Sequence, residues 1–316
     1  MGKIVALHKC LSDFNSLFEL VNYFHSEDVC RQYLKQVRFG EYVVCPHCGS
    51  IHCYEFSDGV RYKCHDCNKI FSILVGTIFE NTKIPLRKWF IAMYLISCHS
   101  KGISSVQLSR DLGITQKSAW YMLQKIRSTF KSENDGALRN DVECDETYIG
   151  GREINKHESK RTKDNRGRSI KVKTPVFGMV ERGGRVVAMK VEDTSSRTLH
   201  RMMGTFILSE SRVMTDEWVG YRNVEQLGYV HEYIRHKEKE FAAGDVNTNT
   251  IEGFWAILKK MLLGTYHVVS AKHLQRYVDE AVFRYNNRDK SASARFDIIF
   301  ANAVGRHTYA DVRLAA

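Results

Sequence analysis

Two Cys-x-x-Cys pairs, Cys45-Pro-His-Cys48 and Cys64-His-Asp-Cys67, stand fifteen residues apart in a chain of 316 residues. Each pair offers two thiolates from one tight turn. Four thiolates at this separation match a tetrahedral zinc shell, which pins two distant turns to one ion. The segment between them must therefore fold back on itself. Tyr54, Phe56, Tyr62 and Lys63 alternate around Ser57-Asp-Gly59, a pattern that predicts a hairpin. The spacing predicts a zinc ribbon over residues 41–80 with Cys45, Cys48, Cys64 and Cys67 as ligands. A closed four-thiolate shell has no open position, so the zinc is expected to be structural. His47 and His65 lie inside the knuckles as substitute ligands, and Cys53 reads as a bystander.

The chain has nine cysteines, an odd number, which speaks for a reducing compartment and a metal rather than a disulfide framework. No signal-peptide pattern opens the sequence, and the longest apolar run, Trp89 to Ile96, is too short to span a bilayer. A cytoplasmic protein without membrane partners is expected. The 47 Lys and Arg against 36 Asp and Glu leave a net charge of +11. That balance favours a polyanionic partner, nucleic acid first.

Residues 1–40 read as an N-terminal helical segment, with Phe14, Leu17, Phe18, Val21, Phe24, Leu34 and Val37 spaced for buried faces. Pro85 opens a further helix over Leu86 to Ser97. Within 81–135, Ile103 to Arg127 reads as a helix-turn-helix. Gly113 breaks the first helix, Thr115 caps the second, and Ala119, Met122, Leu123 and Ile126 turn inward. Gln116, Lys117, Ser118, Tyr121 and Lys125 are left facing out as candidate DNA contacts. A polar linker from Lys131 to Asn140 marks a domain boundary.

From Asp141 the period changes to that of strands. Val142 to Ile149 alternates, Val176 to Val180 and Arg185 to Val191 flank a turn at Arg182-Gly-Gly184, and Ser195 to Leu208 is amphipathic. Arg212 to Asp216 and Tyr229 to Ile234 read as strands, followed by long helices from Ile251 and Ala271. The order predicts a mixed α/β layer over 141–290, with parallel pairing open after the first helix, and a C-terminal tail over 291–316. Arg152 to Lys173 carries nine Lys and Arg against three Asp and Glu. It reads as a solvated loop or as an arm that neutralises phosphates.

Asp145 and Asp216 sit in strands that are otherwise largely apolar, where an acid is costly unless something positive neutralises it. Glu252 opens a helix whose Ile251, Phe254, Trp255, Leu258 and Leu262 form one apolar face. Lys259 projects from the side of that helix that carries Glu252, nearly two turns on. Three converging carboxylates would attract hard cations such as Mg²⁺ or Mn²⁺. The competing reading makes Asp216 a cap for the segment after it and Asp145 a turn residue.

Asp145-Glu-Thr-Tyr-Ile-Gly-Gly151, Thr215-Asp216 with Tyr221, Asn249-Thr-Ile-Glu252-Gly-Phe-Trp255 with Leu258-Lys259, and Asn286-Asn-Arg-Asp289 together resemble the zinc-ribbon bacterial insertion-sequence transposases. The resemblance covers nearly the whole chain. It implies an α/β architecture: a ribonuclease H-like catalytic domain of the acid-triad (DDE) type behind an N-terminal zinc ribbon and helix-turn-helix. It further implies Asp145, Asp216 and Glu252 as catalytic acids binding two Mg²⁺ or Mn²⁺ ions, with Lys259 catalytic and near the DNA backbone. Asn249 lies one turn before Glu252 on the same face. An amide cannot supply charge to a cation, so Glu252 is preferred as the third acid and Asn249 as a DNA contact. The implied activity is binding of transposon ends, phosphodiester hydrolysis and strand transfer into target DNA, by a homo-oligomer on double-stranded DNA in the prokaryotic nucleoid. The alternative is a zinc-ribbon DNA-binding regulator with an inactive remnant of the catalytic domain.

Overall fold

The structure is a computed structural model that describes residues 14–134, 137–151, 157–160, 172–234 and 245–305. It divides into two compact units, Met1–Thr129 with Asp289–Ala316, and Phe130–Arg288.

In the first unit the expected N-terminal helical stretch is two helices, α1 (Leu17–Tyr23) and α2 (Glu27–Phe39). The break follows from Ser26, whose hydroxyl accepts the Val29 N–H at 3.3 Å and starts α2 afresh. The ribbon follows as three antiparallel strands, β1 (Cys53–Glu55), β2 (Arg61–Cys64) and β3 (Ile70–Ser72). Asp58 closes the β1–β2 turn by accepting the N–H groups of Val60 and Arg61 (2.9 and 3.0 Å), and Gly59 supplies the positive φ.

The core of this unit is α3 (Leu86–Cys98), buried along most of its circumference. Pro85 offers it no side-chain cap, and the Glu27 carboxylate of α2 takes that role, accepting the N–H groups of Leu86 and Arg87, each at 3.0 Å. The stretch from 291, expected as a tail, contains α9 (Ala292–Ala303), which packs on α3. Phe296, Ile299, Phe300 and Ala303 recur at helical spacing and are buried, with the Phe300 ring 4.8 Å from that of Phe90. That periodicity makes the segment part of the core.

Two further helices, α4 (Ser105–Leu112) and α5 (Gln116–Ser128), are joined by a three-residue turn. Gly113 ends α4 in the left-handed region (φ 57°). Ser104 and Thr115 cap the two N-termini through their hydroxyls.

In the second unit β4 (Asp141–Ile149), β5 (Thr174–Glu181) and β6 (Val186–Lys190) form an antiparallel meander. After α6 (Ser196–Phe206), strands β7 (Arg212–Asp216) and β8 (Val230–Ile234) extend the sheet in parallel, giving the order β6-β5-β4-β7-β8. One face of the sheet packs on α7 (Asn249–Met261) and α8 (Leu274–Asn286). The other packs on α6 through Val142, Cys144, Phe177, Met179, Leu199 and Met203. The result is an N-terminal zinc ribbon followed by a mixed α/β domain, as the strand pattern predicts. The basic run Arg152 to Lys173 falls mostly outside the described residues. No described helix is long and apolar enough to cross a membrane.

Candidate active site and zinc centre

The four knuckle thiols come together as the spacing requires. Cys45, Cys48, Cys64 and Cys67 each place Sγ within 4.8 Å of the others. The Cys45–Cys67 and Cys48–Cys64 edges are 3.7 and 3.5 Å. With Zn–S bonds of about 2.3 Å a tetrahedron of thiolates has edges of about 3.8 Å, so the donor set fits Zn²⁺. Cys53 is not one of the four, and its thiol donates to the Ser50 carbonyl at 3.6 Å.

The acid site is assembled by the sheet. Strand β4 occupies its centre and runs parallel to β7, with Asp141 opposite Arg212 and Glu143 opposite Met214. Continuing that register by two residues sets Asp145 beside Asp216 at the end of β7. Central strands of a parallel pair end at the same edge of the sheet, which is where ligands bind in such layers. Alternation sends Glu143 and Asp145 toward α7 and Cys144 into the α6 face, where it is fully buried.

Asp145, Glu146 and Asp216 each bring a carboxylate oxygen within 4.8 Å of the others. Oxygens on a common Mg²⁺ at about 2.0–2.1 Å lie up to about 4 Å apart, so this donor set suits one or two hard cations. Burial pushes the Asp145 carboxyl up to about 6, and the charges of Asp216 and Glu252 add to the rise. The Glu146 backbone N–H and the Trp255 indole act against it. A cation would remove much of that cost.

Glu252 and Lys259 line the same cavity of about 540 Å³ as Asp145, Glu146 and Asp216, with Lys173, Tyr148, Thr248 and Trp255 among the other residues of its wall. Glu252 lies outside the tight three-acid cluster, and its Oε1 accepts the Thr248 hydroxyl at 3.2 Å. Asn249 is exposed and does not line the cavity. Asp216 Oδ1 also accepts the Trp218 backbone N–H at 2.9 Å, which closes a turn after β7, but the 3-10 helix Val219–Tyr221 that follows has no side-chain cap, so the capping role weighed in the sequence is not what the residue does.

Several contributors were not visible in the sequence. Glu146 is buried, and its Oε2 accepts the Tyr221 hydroxyl at 2.7 Å. Glu143 is fully buried, and its carboxylate accepts the N–H groups of Thr250 and Ile251 (2.8 and 3.0 Å) and the Thr250 hydroxyl (2.9 Å). Arg182 balances its charge, Nε to Oε1 at 2.7 Å, and also donates to the Asn247 carbonyl. The Thr248 side chain makes no cap bond for α7, so a strand acid two residues from Asp145 anchors the helix that carries Glu252. The signal available in advance is a pair of acids at alternate positions of β4, Glu143 and Asp145, on a face otherwise committed to the core.

Of the expected DNA contacts on α5, Gln116, Lys117 and Tyr121 are exposed and Ser118 is half-buried. Lys125 is a correction: it is 7% exposed, and its ammonium donates to the carbonyls of Ile78 (2.8 Å) and Glu80 (3.3 Å). Helical spacing from Tyr121 placed it on the outer face, but residues 78–80 cover the C-terminal half of α5.

Comparison with known proteins agrees with this construction. The transposase zinc-ribbon domain family matches residues 25–70, and the ISXO2-like transposase domain family matches residues 137–286. An uncharacterized protein in transposable element ISH50 of Halobacterium salinarum is 28% identical over 271 residues, covering 81% of this chain and 89% of that protein. Among solved structures, the Mos1 strand transfer complex aligns at 12% identity with a TM-score of 0.29, covering 91% of this chain and 96% of the other. The Mos1 paired-end complex with the left transposon end aligns at 12% identity and a TM-score of 0.21, over 65% and 75% of the two chains. Scores this low carry no weight for the fold. With its four-thiolate ribbon, its acidic cluster and both domains matched in order, the chain has the domain architecture of a zinc-ribbon-bearing insertion-sequence transposase of DDE type.

Proposed function

We propose that the protein cuts DNA at the ends of an insertion element and joins the freed 3′ ends to target DNA, with Asp145, Asp216 and Glu252 as its catalytic acids. The observation that carries this reading is the strand register that sets Asp145 beside Asp216, in one cavity with Glu252 and Lys259. Two Mg²⁺ or Mn²⁺ ions, when bound, supply activation of the attacking oxygen and charge neutralisation at the leaving one.

The chain's own residues do the rest. Asp145 and Asp216 present carboxylate oxygens toward a shared point, with Glu146 as a further acid beside them. Glu252 lines the same cavity from α7. Lys259 and Lys173, both on the cavity wall, place positive charge where the scissile phosphate and its neighbours would lie. Direct in-line attack by water and then by the 3′-hydroxyl needs no covalent intermediate on the protein.

Sequence choice falls to the ribbon and to α4–α5 acting as a helix-turn-helix, with Gln116, Lys117, Ser118 and Tyr121 at the exposed N-terminal half of α5. Asn249, exposed at the start of α7, is an outer backbone contact. Joining two ends calls for a homo-oligomer assembled on double-stranded DNA.

The test is Asp216→Asn assayed with end-labelled terminal DNA in Mg²⁺. Loss of both nicking and strand transfer with DNA binding retained is the expected result. Strand transfer that survives the change overturns the catalytic assignment, and hydrolysis without any joined product in the unaltered protein reduces the activity to that of a nuclease.

A further inference from the structure

The indole of Trp255 is directed at a catalytic acid rather than at solvent or backbone. Its Nε1–H donates to Asp145 Oδ2 at 2.9 Å, and the residue is 3% exposed. An indole N–H is a donor only, so in this place it can serve only an acceptor such as a carboxylate oxygen. The ring has little freedom to point elsewhere. It is held in the core among Val176, Ile251 and Phe254, with the Phe254 ring 5.1 Å away.

Strand β5 makes room for this arrangement. Gly178 lies directly opposite Asp145 in the β4–β5 register. A Cβ at Gly178 would stand 2.5 and 2.6 Å from Cη2 and Cζ2 of Trp255 and 3.1 Å from Ile251 Cδ1. The strand position facing the acid is therefore side-chain-free, and the indole occupies the space. Trp255 is also one helical turn beyond Glu252 on α7, and Glu143 anchors the start of that helix to β4 two residues before Asp145. The helix that brings the third acid thus also holds the first one in orientation.

We propose that Trp255 is a positioning residue: its indole N–H, seated over Gly178, fixes the rotation of the Asp145 carboxylate so that the acid is preset to receive a divalent cation. A partner of this kind, bonded to a ligand rather than to the metal, commonly contributes 10–100-fold in metal affinity or activity. A side chain that merely fills the core would alter stability and leave cation affinity alone. The inference rests on the reading of Asp145 as a cation ligand, so its test includes Asp145 itself.

The experiment is a Mn²⁺ titration of the full chain, without DNA, in which free Mn²⁺ is counted by electron paramagnetic resonance. Unaltered protein, W255F, G178A and D145N are compared. W255F removes the N–H and keeps an aromatic ring, whereas G178A keeps the N–H and displaces the ring. Both should weaken Mn²⁺ binding by about tenfold, and D145N by more. If W255F and G178A titrate like the unaltered protein while D145N is weakened, the positioning role is overturned and the catalytic assignment stands. If D145N also titrates like the unaltered protein, Asp145 is not a ligand and both fall. Should W255F or G178A fail to fold, the indole resonance of Trp255 in ¹⁵N-labelled unaltered protein decides the matter. It should shift on Mg²⁺ addition and lie elsewhere in D145N, and a resonance indifferent to both overturns the proposal.

Discussion

In the ribbon, all four donors come from two turns within the span Cys45 to Cys67, and the closing hairpin lies between them. In the α/β unit the clustered acids come from positions 145, 146 and 216 on two strands, and Glu252 lines the same cavity from a helix. The thiolates need little beyond their own turns: once the hairpin closes, S–S edges of 3.5 and 3.7 Å follow. The carboxylates depend on a β4–β7 register, on α7 being anchored by Glu143 and Arg182, and on an indole from that helix. The difference lies in how each centre fails. A local centre is lost when its ion is lost, and an assembled one when the scaffold shifts by a fraction of an ångström.

Removing zinc should have the largest effect. Structural zinc sites of this kind contribute about 10–16 kcal/mol to small domains at neutral pH. A strong chelator, or Cys64→Ser, should therefore abolish ribbon order, read as loss of bound zinc by atomic absorption and of protected ribbon amides by hydrogen exchange. A ribbon that keeps its amide protection without zinc would erase the contrast between the two centres.

Next in size is Asp216→Asn, which should lower strand cleavage and transfer by on the order of 10³-fold while DNA binding in a gel-shift assay changes only a few-fold. Glu143→Ala tests the scaffold directly. It strands Arg182 and two helix N–H groups, and breaking a buried pair from one side costs about 3–5 kcal/mol. The expected readout is a lower denaturation midpoint, accompanied by loss of cleavage although no proposed ligand has been touched. Gly178→Ala should cost about 1–3 kcal/mol by overpacking against Trp255, again measured by denaturation.

The smallest effect is expected on α5. Lys117→Ala should reduce the salt dependence of DNA binding by about one counterion, whereas Lys125→Met should leave that slope unchanged, because its ammonium is spent on the Ile78 and Glu80 carbonyls. A slope that drops for Lys125 and not for Lys117 would reverse the assignment of the outer face.

Much of the fold was legible in advance where it depends on short-range pattern. The knuckles, the β1–β2 hairpin, the β4 strand and the apolar face of α7 all follow from spacing and alternation. The run 291–303 carries a helical period at Phe296, Ile299, Phe300 and Ala303, but that face has no meaning until α3 is there to receive it. Lys125 is the converse case: spacing predicts its helix, but only the fold shows what covers it.

The candidate site divides along the same line. Acids in apolar strands make Asp145 and Asp216 conspicuous in one dimension, but it is the family resemblance that implies catalytic roles for them and for Glu252 and Lys259. That Glu146 joins the cluster, that Glu143 anchors α7, and that Trp255 bonds Asp145 over Gly178 could be decided only in three dimensions. The sequence alone determined the zinc ligands and the kinds of element that carry the acids, because turns, helices and strands are set by neighbours a few residues apart. The meeting of those acids in one cavity is a matter of strand register and helix placement. These depend on contacts between residues far apart in the chain, and no local spacing encodes them.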